Sequence, residues 1–224
     1  MRILVSLFLL LAVLCTLFVL EVRRGTLAQL VDVLGDRFTP LRGPSTAPPL
    51  PDDGPECLER LSRIDGLQSK RLDAFFNDQG CGVAYPVLVQ AIDGIDIEGR
   101  GLTLSCAAAE RFSQWVSDEV TPLVRKHKKE PLVRIRHLGS YNCRKIGGSS
   151  VWSQHAFANA IDVAGLEFED GSILTMTDHW ESEPILKDLA RTACDYFNVV
   201  LSPEYNALHH DHLHFDLGPY RTCR

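Results

Sequence analysis

The chain has 224 residues, of which 45% are hydrophobic and 23% charged, a composition that excludes an intrinsically disordered protein. A formal net charge of −6 offers no basic surface for nucleic acid, and the clusters at Arg125 to Lys129 and at Arg134/Arg136 read as a solvated helix end and a strand face. The length suits one ordinary domain with residues to spare.

The N-terminal segment comes first. Ile3 to Leu20 is eighteen residues without a charge, preceded by Arg2 and followed by Glu21, Arg23 and Arg24. That is near the lower end of a transmembrane span and long for a signal-peptide core. Thr26-Leu27-Ala28 is a poor cleavage site, and no small residue precedes Cys15, so residues 1–24 read as a signal anchor in preference to a cleaved signal peptide. Leu27, Leu30, Val31, Leu34 and Phe38 then recur at helical spacing. Pro40 to Pro55 holds six of the twelve prolines, which makes residues 25–55 a juxtamembrane helix and a semi-extended linker. The folded domain is expected over residues 56–224.

Within that domain Cys57 to Asn77 reads as two helical pieces broken at Gly66, and Val87 to Ile97 as a hairpin turning at Asp93-Gly94. Ser105 can cap a helix running to about Lys128, with Phe112, Trp115, Val116 and Val124 buried. Val133 to His137 alternates as a half-exposed strand, and Ala160 to Ala164 and His212 to Leu217 also read as strands. Ser182 can cap a helix from Pro184 to Asn198. Helices mixed with short strands and hairpins, without regular βαβ alternation, predict an α+β fold in which helices flank a small antiparallel sheet.

Cysteines locate the compartment. With Cys15 set aside, Cys57, Cys81, Cys106, Cys143, Cys194 and Cys223 form an even set in an exported chain, so disulfides in an oxidising compartment are expected, with fifteen full pairings open. Pairing in sequence order gives Cys57–Cys81, Cys106–Cys143 and Cys194–Cys223, the last pinning the C-terminal tail to a helix. The soluble part then faces a periplasm or its equivalent.

The chemistry sits in two motifs, Ser153-Gln154-His155-Ala156-Phe157-Ala158-Asn159-Ala160-Ile161-Asp162 and His212-Leu213-His214-Phe215-Asp216. Along a strand, side chains alternate faces, so His212, His214 and Asp216 share one face and stand about 6.6 Å apart in successive pairs. One of two such histidines can bind a metal while its neighbour acts beside it. Two imidazoles and one carboxylate leave an open position on zinc, the pattern of a catalytic site, whereas structural sites are closed by four protein ligands. Zinc there would polarise a carbonyl and lower the pKa of its water toward 7. No HExxH supplies a glutamate base, so a histidine, His212, is the candidate. Taken singly, the HxH and the His155/Asp162 pair are weak signals, and together they predict the metal. His209, His210 and Asp211 read as a solvent-facing loop, with His210 on the His212 face if the strand starts early. His127, His137 and His179 read as ordinary residues.

The first motif resembles that of the zinc peptidases that include D-alanyl-D-alanine carboxypeptidases, murein endopeptidases and the hedgehog signalling domain, whose pattern is SxHxxGxAxD with HxH; here Ala158 replaces the glycine. Ser140-Tyr141-Asn142-Cys143-Arg144, Trp152-Ser153-x-His155-Ala156, Asn159 to Gly165 and the terminal Cys223-Arg224 look like the bacterial extensin-like C-terminal domain family, over roughly Cys57 to Arg224. The peptidase resemblance implies His155, Asp162 and His214 as zinc ligands and His212 as base. It also implies that Arg144 contacts the substrate carbonyl or the developing oxyanion, and Ser153 reads as an orienting hydrogen-bonder. The function expected from it is a membrane-anchored zinc peptidase of the periplasm, cutting amide bonds in peptidoglycan stem peptides or crosslinks by attack of zinc-bound hydroxide. A non-catalytic wall-binding or scaffolding module with a structural zinc, and zinc sequestration by His209 to His214, are the alternatives.

Overall fold

The computed structural model describes residues 54–224; the expected anchor, juxtamembrane helix and most of the linker lie outside them. No helix among the described residues is long and apolar enough to cross a membrane. The domain is built on a ten-stranded sheet in the order β1-β4-β5-β7-β8-β11-β10-β12, with β6 paired to β4 and β9 to β8. These strands are β1 (Leu67–Arg71), β4 (Pro86–Ile92), β5 (Ile95–Ile97), β6 (Leu102–Ser105), β7 (Leu132–Gly139), β8 (Ala160–Phe168), β9 (Ile173–Thr175), β10 (Val199–Leu201), β11 (Leu213–Asp216) and β12 (Thr222–Cys223). Two further strands, β2 (Phe75–Phe76) and β3 (Gly82–Val83), pair only with each other. The α+β expectation holds, but the sheet is larger than expected and mixed, since β5–β7 and β10–β12 run parallel.

Several elements follow their sequence signals. Asp93 and Gly94 both adopt positive φ, 51° and 81°, as a two-residue hairpin turn between β4 and β5 requires. Ser105 caps helix α2 (Cys106–Trp115) by accepting from the Ala108 N–H at 3.2 Å. The helical run continues through one π-turn (Val116–Val120) into α3 (Thr121–His127). Pro122 lies at that junction and has no N–H to give to a regular helical bond, and the wider turn absorbs the mismatch.

Other expectations fail for visible reasons. Helix α1 (Pro55–Leu61) is real, but the second helical piece is replaced by β1 and β2. β1 is an exposed edge strand, Gln68-Ser69-Lys70-Arg71, whose polar edge hides the period-two signal. A short helix α4 (Met176–His179) precedes α5 (Pro184–Ala193), which ends earlier than expected and has Glu183, not Ser182, at its N-cap. The Glu183 carboxylate is turned to Lys128 at 2.9 Å and makes no cap bond. The disulfides are Cys57–Cys106, Cys81–Cys143 and Cys194–Cys223. Only the last matches sequence order. Cys57 on α1 lies against Cys106 at the start of α2, a long-range packing that spacing does not reveal.

The apolar side of the sheet packs on α2, the π-turn, α3 and α5 in one core. Trp115 meets the Phe215 ring edge-on at 5.0 Å, and Phe197 stacks on Phe215 at 5.0 Å. The Trp115 indole N–H donates to Thr192 at 3.2 Å, so its buried polar end is satisfied. These contacts fix which side of β11 faces inward.

Candidate metal centre

Register places the first two functional groups. β8 and β11 are antiparallel with Asp162 directly opposite His214, and Ile161, Val163, Leu213 and Phe215 fill the core behind them. A one-residue slip would turn His214 into the core, so packing of Phe215 also specifies the site.

His155 arrives by a different route. It sits in a single 3₁₀ turn (Gln154–Phe157) whose N-cap is Ser153, the Ser153 Oγ accepting from the His155 N–H at 3.3 Å. The turn ends at Ala158 with φ 51° and ψ 30°, a left-handed conformation that glycine would adopt without strain. The Ser105 N–H donates to the Ala158 carbonyl at 2.8 Å and anchors the exit into β8.

The three groups converge. His155 Nε2 lies 3.2 Å from His214 Nδ1 and 3.2 Å from Asp162 Oδ2, and His214 Nδ1 lies 2.9 Å from Asp162 Oδ1. Two ligands on a tetrahedral zinc at 2.0–2.1 Å stand roughly 3.3 Å apart, so these spacings, which are also hydrogen-bond lengths, suit a donor set around one ion. The tautomers agree. His155 Nδ1 faces the Ser140 carbonyl at 2.6 Å and must donate to it, which leaves the Nε2 lone pair for the cluster. His214 Nε2 donates to Asp216 Oδ2 at 3.0 Å, which leaves Nδ1 for the cluster, and Asp216 is itself held by the Gly218 N–H at 2.7 Å. Each imidazole is thus oriented by an outer acceptor, as metal-binding histidines are. Three electron-pair donors that approach this closely need a cation or a proton between them, and the residues fit a zinc ion.

The metal-free protein supplies the proton. Burial opposes ionisation of Asp162, but the His155 and His214 imidazoles packed against it outweigh burial and hold the carboxyl well below the usual carboxylate range. Burial likewise disfavours the His214 cation, yet its bonds to Asp162 and Asp216 prevail and push it up to about 9. The raised pKa favours a protonated His214 at neutral pH, with Nδ1 aimed at Asp162 Oδ1 and Nε2 at Asp216 Oδ2.

The family described as "Extensin-like protein C-terminus" matches residues 55–224. The chain belongs to that extensin-like family. It has no match among curated proteins or among solved structures.

Around the donor set, the extensin-like domain gathers further groups. His212 is buried just before β11, with Nδ1 held by Asp211 at 2.8 Å and Nε2 3.6 Å from Asp162 Oδ1. Its Nδ1 is committed to a carboxylate, so Nε2 is the nitrogen that faces the cluster. His209 departs from the solvent-facing expectation: its ring is half-buried, 5.2 Å from that of His212 and 5.8 Å from that of His214. Burial pushes His209 down to about 4, helped by the neighbouring His212 and His214 and by the charge of Arg144, so it is neutral at pH 7. His210 does stay exposed. Arg144 is exposed too, on the segment leading to Ser153, near enough to act on His209 but not bonded to the ligands.

Sequence reasoning missed Asp211, Asp216 and the Ser140 carbonyl as orienting partners. Strand alternation had already put Asp216 on the His214 face, and Asp211 adjoins His212, so both were within reach. A backbone carbonyl leaves no such signal.

Proposed function

We propose that this extensin-like domain is a zinc-dependent peptidase acting on the amide bonds of peptidoglycan stem peptides or crosslinks, in the periplasm, with residues 3–20 as an inner-membrane anchor. The observation that carries the reading is the His155–Asp162–His214 donor set, with both imidazoles oriented so that their lone pairs meet. Bound zinc would polarise the scissile carbonyl and acidify a water in the fourth position. His212, whose Nδ1 is held by Asp211, would offer Nε2 as the base that takes a proton from such a water and returns it to the leaving amine. Arg144, at the rim, meets the substrate carbonyl or the developing oxyanion. Three protein ligands in place of four favour catalysis over a purely structural metal. Three disulfides support an oxidising compartment.

The test is chromatography of crosslinked muropeptides after incubation with the full chain, with and without chelator. Cleavage that chelator abolishes is expected. His212→Ala should keep its zinc and lose about 10²- to 10⁴-fold in turnover. Zinc binding with unaltered muropeptides would instead identify a non-catalytic wall-binding module.

A further inference from the structure

The small β2–β3 hairpin stands apart from the main sheet, and two-stranded ribbons of this size have little stability of their own. What fastens it is the segment running from Ser140 to Arg144. Cys81, beside β3, is bonded to Cys143, and the Phe75 ring meets Tyr141 edge-on at 4.9 Å. Asn77 closes the turn of the hairpin by accepting from the Cys81 N–H at 3.0 Å, and its amide approaches Cys143 Sγ at 3.2 Å.

The other side of the same segment is bonded to the turn that carries His155. The Ser140 carbonyl takes the His155 Nδ1 proton at 2.6 Å. The Asn142 N–H donates to the His155 carbonyl at 3.0 Å, and the Ser153 N–H donates to the Arg144 carbonyl at 3.1 Å. So Ser140–Arg144 is a strap: one edge grips a ligand-bearing turn and the other is clasped by a covalent bond and an aromatic pair. The remaining ligands, Asp162 and His214, are fixed by sheet register and have no need of it.

We propose that the Cys81–Cys143 disulfide, with Phe75 and Tyr141, is a positioning device for the metal centre, setting zinc affinity through the strap and His155. Reducing this bond frees the strap edge, lets the Ser140 carbonyl drift from His155 Nδ1, and releases the tautomer and aim of one ligand. The proposal rests on the metal-binding part of the reading above and not on its peptidase part.

The test is zinc affinity, measured by competition with a chromogenic chelator on the full chain. Cys81→Ser/Cys143→Ser is compared with Cys57→Ser/Cys106→Ser. The two disulfides span 62 and 49 residues, and loop length enters chain entropy only logarithmically, so the general destabilisation is similar. α1, the covalent partner of α2, carries no site residue. The first pair should weaken zinc binding by roughly 10- to 100-fold, the loss seen when outer partners of metal ligands are removed. The second pair, which reaches the His155 turn only through the Ser105–Ala158 bond, should weaken it less than the first. Tyr141→Leu, which keeps every disulfide, guards against a cysteine variant that does not fold; it should weaken binding by roughly two- to tenfold. Unchanged affinity in Tyr141→Leu, or equal losses in the two cysteine pairs, overturns the clasp. A wild-type chain that binds no zinc overturns the metal reading itself, and the clasp with it.

Discussion

Asp162 and His214 stand on paired strands of the sheet, whereas His155 stands on one short turn held by a cap and a strap. The first two inherit the rigidity of a core that packs Phe215 against Trp115 and Phe197. The third depends on a few hydrogen bonds between loops. A site of this kind has a fixed half and an adjustable half, and perturbations should act on the two differently.

The largest effect tests the fixed half. His214→Ala removes a ligand and strands two carboxylates, Asp162 and Asp216, that its protonated ring joins in the metal-free protein. Dialysed protein should carry close to no zinc by elemental analysis, against one per chain in wild type. Next is Asp216→Asn, which keeps an acceptor for the His214 Nε2 proton but removes its charge. Zinc affinity should fall on the order of tenfold, with His155 unaffected.

Smaller effects test the adjustable half. Ser153→Ala deletes the cap of the His155 turn and should cost about 1 kcal/mol in chemical unfolding. Ala158→Gly should change stability by less than about 1 kcal/mol. Relief of a left-handed alanine, roughly 1–2 kcal/mol, is offset by the lost buried methyl and the greater chain entropy of glycine. A buried alanine of ordinary conformation would cost more.

Stability should also follow pH in a way that separates metal-free from zinc-loaded protein. The His214 pKa is raised from 6.5 to about 9, so its contribution is complete below 6.5 and is lost as pH rises through about 9. Asp162 is shifted the other way, so its contribution is present above 3.8 and is lost as pH falls below that value. Thermal melts of chelated protein should therefore peak between these limits and decline toward pH 9. Zinc-loaded protein, in which His214 carries no extra proton, should not show the alkaline decline.

Much of the site was legible because its chemistry rides on strand periodicity. Alternation through His212, Leu213, His214, Phe215 and Asp216 separates the polar face from the core in the sequence itself, and Asp162 follows by the same rule. His155 came in through the resemblance to the zinc-peptidase motif. What stayed hidden is non-local. The edge strand Leu67–Arg71 has a polar sequence and takes its identity from β4, not from its own pattern. The pairings of Cys57 with Cys106 and Cys81 with Cys143 depend on which elements meet across the fold. His209 reads from sequence as solvent-facing because the turn that folds it back, capped by Asn206, gives little sign of where the ring will land.

Zinc bound at the proposed site of His155, Asp162 and His214 would displace the proton that the raised His214 pKa favours there. Calorimetric titration of zinc into the metal-free full chain at pH 7, repeated in buffers of different ionisation enthalpy, tests this displacement most directly. One zinc should bind per chain with release of about one proton, and the release should vanish well above pH 9. Binding at pH 7 without proton release, or no binding of a single zinc, would contradict it.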